Sequence, residues 1–142
     1  MMISIFRKFL SCLLIGSVLF SASAQDQDMQ DPIDAAWEKA IDADPSTAGM
    51  VEACASATAQ WDTRMNDAYG KLKSAMDPDE WKQLVVSQKA WLTFRDAQIA
   101  SIGARRSRMD GTMWSVDAAE QTMDLTKNRT QFLERTLQLI NE

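Results

Sequence analysis

Gln88 and Arg95 are the residues whose type and spacing could do chemistry. They stand seven positions apart in a strongly helical stretch, Ser87-Gln88-Lys89-Ala90-Trp91-Leu92-Thr93-Phe94-Arg95-Asp96. Trp81, Leu84, Gln88, Trp91, Leu92, Arg95, Ile99 and Ile102 follow one another at helical spacing along a single stripe. Most of that stripe is apolar, so the amide and the guanidinium need polar partners from another element. A buried polar group left unsatisfied costs about 1–3 kcal/mol. Asp62, Asn66 and Tyr69 form a second polar row at four- and three-residue steps. The spacing predicts that Arg95 pairs with Asp62 across a helix hairpin, with Asn66, Tyr69 and Gln88 completing a hydrogen-bond network. A guanidinium fork suits such a place because it satisfies a carboxylate at two points. The chemistry implied is structural: a network that fixes helix register.

Catalytic readings find little support. The chain has no histidine, the commonest general base and metal ligand. Asp62, Asp67, Glu80 and Asp96 sit among basic residues without the spacing of a paired acid and base. Cys54 falls on a core stripe with no histidine to activate it, so it reads as a small buried hydrophobe. No metal site, no cofactor site and no enzyme activity are expected. Arg105, Arg106 and Arg108 form a basic cluster in an acidic chain. With Met113 and Trp114 beside them they are the candidate partner-contact residues, Trp114 being the tryptophan expected at the surface.

The elements that position these residues are helices. Asp31-Pro32 opens a short one, with Ile33, Ala36, Trp37, Ala40 and Ile41 on its apolar face, and Asp44-Pro45-Ser46 ends it. A longer helix is expected from about Thr47 to Met76, with Met50, Cys54, Trp61, Met65, Ala68, Leu72 and Met76 inward. Asp77-Pro78-Asp79-Glu80 carries the signature of a capping box and starts the third helix, which ends near Gly103. Ala104 to Gly111 reads as a polar connection. Thr112 to Ile140 forms the last helix, burying Val116, Ala119, Met123, Leu133, Leu137 and Ile140. No stretch alternates with a period of two. The fold class is all-α: an antiparallel bundle of three long helices with a short N-terminal helix.

Residues 1–24 read as a secretory signal peptide. Arg7 and Lys8 precede the apolar run Phe9 to Phe20, and Ala22-Ser23-Ala24 is the cleavage signature. Residues 25–30 read as a disordered segment and 31–142 as a single domain. Loss of Arg7 and Lys8 takes the net charge from −5 to −7, with 13 basic groups against 20 acidic. That balance argues against nucleic-acid binding and favours a basic partner. No stable membrane span is expected after signal removal, and the location is periplasmic or secreted. Only Cys54 survives processing, so no internal disulfide forms.

The blocks Asp62-x-x-Met65-Asn66-x-x-Tyr69, Gln88-Lys89-Ala90-Trp91-Leu92-x-Phe94-Arg95-Asp96-Ala97, Gly111-Thr112 and Leu125-Thr126-x-x-Arg129 resemble the LprI-like N-terminal domain of lysozyme inhibitors. The resemblance spans about Cys54 to Ile140. It implies a small exported helical domain that is not an enzyme and that inhibits a lysozyme-type muramidase by steric occlusion. The alternative is a periplasmic helical module in envelope assembly or stress response, bound to another envelope protein and without lysozyme contact. Family members carry cysteines after the Arg-Asp block and before the Thr-x-x-Arg block. Here Ile99 stands at the first position and Gln121 to Met123 contain none, so both are absent together. Cys54 matches the remaining family cysteine and lacks a partner.

Overall fold

Aspartate, serine and proline set the helix starts. A computed structural model describes residues 30–142, which form α1 (Pro32–Ala43), α2 (Thr47–Ala75), α3 (Pro78–Arg106) and α4 (Met113–Asn141), with no strand among the described residues. Residues 1–24, expected as a signal peptide, and residues 25–29 of the expected disordered segment lie outside the described residues. The Asp31 carboxylate accepts the Ile33 N–H at 2.9 Å and the Ser46 hydroxyl accepts the Gly49 N–H at 3.0 Å. At α3 the Asp77 carboxylate accepts from the Asp79 and Glu80 N–H groups while the Glu80 side chain reaches back to the Asp77 N–H, a complete capping box. No side chain caps α4 at Thr112. Gly111 precedes it with φ +97°, a left-handed conformation that a side chain would strain.

α3 is longer than the sequence predicts. It continues past Gly103 to Arg106, so Arg105 and Arg106 occupy its last turn rather than the connection. Cations there complement the exposed carbonyls at the helix end, which extends the helix through a polar stretch. The connection shrinks to residues 107–112.

The tightest packing joins α2 to α4, which run in the same direction. The Thr47 hydroxyl meets the Thr112 hydroxyl at one end, the Thr130 hydroxyl meets the Trp61 carbonyl midway, and Arg64 meets Glu134 further on. α3 runs back along α4 in the opposite direction: Arg106 reaches Ser115 while Gln88 reaches Arg129. The core falls into two clusters. Met65, Ala68, Leu72, Leu84 and Leu133 form one, flanked by Tyr69, Trp81, Trp91 and Leu137. Ile33, Ala57, Trp61 and Met123 form the other, flanked by Trp37.

α3 buries less than its stripe predicts. Only Leu84, Gln88 and Ile102 are buried; Trp81, Trp91, Leu92 and Arg95 are half-buried and Ile99 is exposed. On α4, Ile140 is exposed, contrary to its expected place in the core, because the face that the last turn shares with the end of α2 carries Leu137 and Asn141 instead. Among the described residues no helix is long and apolar enough to cross a membrane.

Two outcomes follow. The Thr130 hydroxyl is fully buried and bonds both the Trp61 and Thr126 carbonyls at 3.0 and 2.9 Å, so Thr130→Val, which keeps the shape, should lower the unfolding free energy by about 1 kcal/mol in urea titrations. The second concerns pH. N–H donation from Glu80 holds the Asp77 carboxyl below its usual range, so its contribution is present above the unfolded value of 3.8 and lost as pH falls through the folded value. The urea midpoint should drop on acidification, and Asp77→Asn should shrink that drop.

Candidate functional site

The five residues of the expected network fall into two separate groups. On one side, Arg95 donates from Nε and Nη2 to Asp96 Oδ1 at 3.0 and 2.8 Å, and its Nη1 stands 3.9 Å from Asp62 Oδ1. Asp62 accepts from Asn66 Nδ2 at 3.1 Å. The Arg95 guanidinium lies 5.4 Å above the Trp91 ring. On the other side, Gln88 is buried and turns away from Arg95. Its Oε1 accepts from Arg129 Nε at 2.8 Å and its Nε2 approaches Met65 Sδ at 3.8 Å. Tyr69 packs on Trp81, ring centres 4.7 Å apart. Asp62, Asn66 and Arg95 are thus brought together, whereas Gln88 and Tyr69 are not joined to them. The physical reason is local: Asp96, the next residue in the chain, takes the Arg95 fork, and Arg129 on α4 supplies the donor that Gln88 needs.

The chain's strongest polar assembly lies elsewhere. Arg64 directs Nε and Nη2 at the two carboxylate oxygens of Glu134, the latter at 2.8 Å, and its Nη1 at Asp31. The Glu134 hydrogen bonds, with Asp31 adding to them, push the Arg64 pKa further up against the opposing effect of burial. The guanidinium also lies 4.9 Å over the fully buried Trp61 ring. Lys127 pairs with Asp34 at 2.7 Å and stands 5.7 Å from the same ring. Two acids three positions apart, Asp31 at the cap of α1 and Asp34 in its first turn, therefore meet two cations that both approach one tryptophan. Sequence reasoning gave Asp31 only its capping role and missed Asp34, Arg64, Lys127 and Glu134. The partners of Arg64 lie 33 and 70 positions away, a separation at which helical periodicity carries no pairing signal.

Arg105, Arg106, Arg108 and Trp114 gather at the corner where α3 hands over to α4. Arg106 donates from Nε and Nη2 to the Ser115 hydroxyl at 3.1 and 2.8 Å, so it braces the corner. Arg105 and Arg108 are exposed, as are Met109, Met113 and Trp114. A small recess of about 70 Å³ lies beneath, lined by Ile102, Arg105, Met109, Trp114, Asp117 and Gln121. A wider apolar groove of about 530 Å³ runs between α2, α3 and α4, with Ile99, Ala119, Thr122, Asp62 and Arg95 among its lining residues. No group of three metal-ligating side chains occurs among the described residues.

Cys54 is fully buried on α2. Desolvation raises its thiol pKa, Trp37 opposes the rise, and Glu120 and Asp124 add to it.

These features define a small all-α domain whose polar side chains tie helices together and whose aromatic and cationic groups reach the surface along α3 and α4. The chain matches the family described as Lysozyme inhibitor LprI over residues 36–133, and it belongs to that family. A crystal structure of an uncharacterised protein from Burkholderia thailandensis is similar, with a TM-score of 0.76 and 25% identity, over 80% of this chain and 57% of that one. The chain therefore spans little more than half the length of that protein. No curated protein matches it.

The thiol gives a direct check on the packing. Cys54 in the folded protein should react with a maleimide at pH 8 at least about tenfold more slowly than in 6 M guanidinium, because burial suppresses both access and the thiolate. Equal rates would mean that the helices packed against α2 do not cover it.

Proposed function

We propose that this chain is an exported binding protein of the lysozyme-inhibitor type, not an enzyme, that blocks a lysozyme-type muramidase by steric occlusion. The signal peptide at residues 1–24 would deliver it to the periplasm or the exterior, and residues 31–142 would act as a single domain. In this reading the three long helices work as one antiparallel bundle that presents the α3–α4 corner to the partner.

The observation that carries the proposal is the make-up of that corner, taken with the family. Arg105 and Arg108 stand exposed beside Trp114, Met113 and Met109, the last three exposed by 37%, 60% and 37%. Cleavage of a glycosidic bond ordinarily needs two carboxylates flanking the scissile bond. A guanidinium entering such a cleft would meet those carboxylates, while tryptophan and methionine would fill the apolar floor that a sugar ring otherwise covers. The acidic balance of the whole chain would favour encounter with a basic enzyme, an effect that salt weakens.

The assay is clearing of cell walls by lysozyme with purified protein in excess. The reading predicts slowed clearing, and loss of most of that effect in an Arg105→Ala/Arg108→Ala double variant with an unchanged melting temperature. Full lysozyme activity at excess protein would remove the proposal in favour of an envelope interaction module.

A further inference from the structure

Three cations that tie these helices each meet a carboxylate: Arg64 meets Asp31 and Glu134, Arg95 meets Asp96 and Asp62, and Lys127 meets Asp34. Arg129 differs. It is half-buried on α4, yet no carboxylate stands within ion-pair distance of it among the described residues. Its Nε donates to Gln88 Oε1 at 2.8 Å and its Nη2 to the Ser87 hydroxyl at 3.3 Å, while Nη1 makes no hydrogen bond among those residues. The guanidinium lies 5.0 Å over the Phe132 ring and 5.9 Å from the Trp91 ring. Burial holds its pKa below the usual guanidinium range, opposed by Tyr69. In a chain of net charge −5, a cation fixed by neutral groups and left without a counter-charge is unusual.

Its surroundings are those of a contact surface. Ser87, Trp91 and Phe94 follow at four- and three-residue steps along α3, so Phe94 lies one turn beyond Trp91. Phe94 and Phe132 are 54% and 51% exposed. Tryptophan and arginine, ringed by apolar side chains that exclude water, are the usual composition of an interface hot spot. Two half-exposed rings suit another protein's surface better than enclosure of a small molecule.

We infer that Arg129, framed by Trp91 and Phe132 and aimed by Gln88, is the anchor for an acidic side chain of a protein partner, with Phe94 and Phe132 covering the apolar residues around that acid. This contact is separate from the α3–α4 corner. Ser115 and Arg129 are 14 positions apart on α4, about 21 Å along its axis at the helical rise. It does not depend on the muramidase reading, and either can fail alone.

The test follows the Arg129 Nε–H resonance of the ¹⁵N-labelled protein, assigned by its loss in Arg129→Lys. Three probes are titrated: acetyl-Leu-Glu-Leu-amide, its isostere acetyl-Leu-Gln-Leu-amide, and N-acetylmuramic acid. The expected result is a saturable shift with the Glu peptide and an affinity about tenfold weaker for the Gln peptide. Phe94→Ser, an exposed change that leaves the core intact, should weaken binding of the Glu peptide several-fold at an unchanged melting temperature. No saturable shift, or equal binding of the two peptides, overturns the inference. Saturation by N-acetylmuramic acid alone also overturns it, by assigning the arginine to a sugar acid instead of a protein.

Discussion

The Arg64 guanidinium is engaged on every nitrogen, and the arrangement of three helices depends on it. Its fork holds Glu134 of α4 while its remaining nitrogen holds Asp31, the residue that also caps α1. One side chain on α2 thus fixes where α1 begins and how α4 is registered. Lys127 and Asp34 add a second pair beside Trp61, so α1 is held at two points near a buried ring. Cations above an aromatic face gain from its quadrupole most when water is excluded. Here each cation is also paired, so little of its charge is left uncompensated.

This lock explains how α2 and α4 can pack closely although they run in the same direction. Parallel helices set their dipoles unfavourably, and nothing in the short α2–α3 turn brings α4 alongside α2. The fully buried Trp61, Met65, Leu72, Thr130 and Leu133, joined by the Thr130–Trp61 hydrogen bond, supply the contact, and the charged pairs supply the register. α3 is then left as the outer helix. It buries three residues over 29, and its tryptophans lean on the pair without being swallowed by it. The surface that can meet a partner is accordingly made by α3 and the edge of α4, where Phe94, Arg129, Phe132 and Trp114 lie.

Helix number, class and starts were legible because they are written locally. Asp31-Pro32 and Asp77-Pro78 each carry capping chemistry within three residues, whereas Ser46, read only as the end of α1, also caps α2. The inward faces of α2 and α4, Ile140 excepted, were legible for the same reason, since periodicity names them without reference to a neighbour. Pairing across helices was not. Arg95 and Gln88 share a stripe, yet Asp96 competes for the one and Arg129 for the other. Arg129 was in view only as part of a motif, because a stripe shows which face a residue occupies and not what stands opposite. The end of α3 was misplaced for a related reason: Arg105 and Arg106 look like loop residues by polarity but stabilise a helix C-terminus by charge.

The measurement that bears most directly on this account is a double-mutant cycle between Arg64 and Glu134 at low salt. Arg64→Ala, Glu134→Ala and the double variant are unfolded in urea and compared with the parent. A forked pair that registers α4 on α2, partly exposed as both side chains are, predicts a coupling free energy of about 1 kcal/mol, shrinking as salt is added. Additive losses with no coupling would contradict it, and would place the register of the two helices in apolar packing alone.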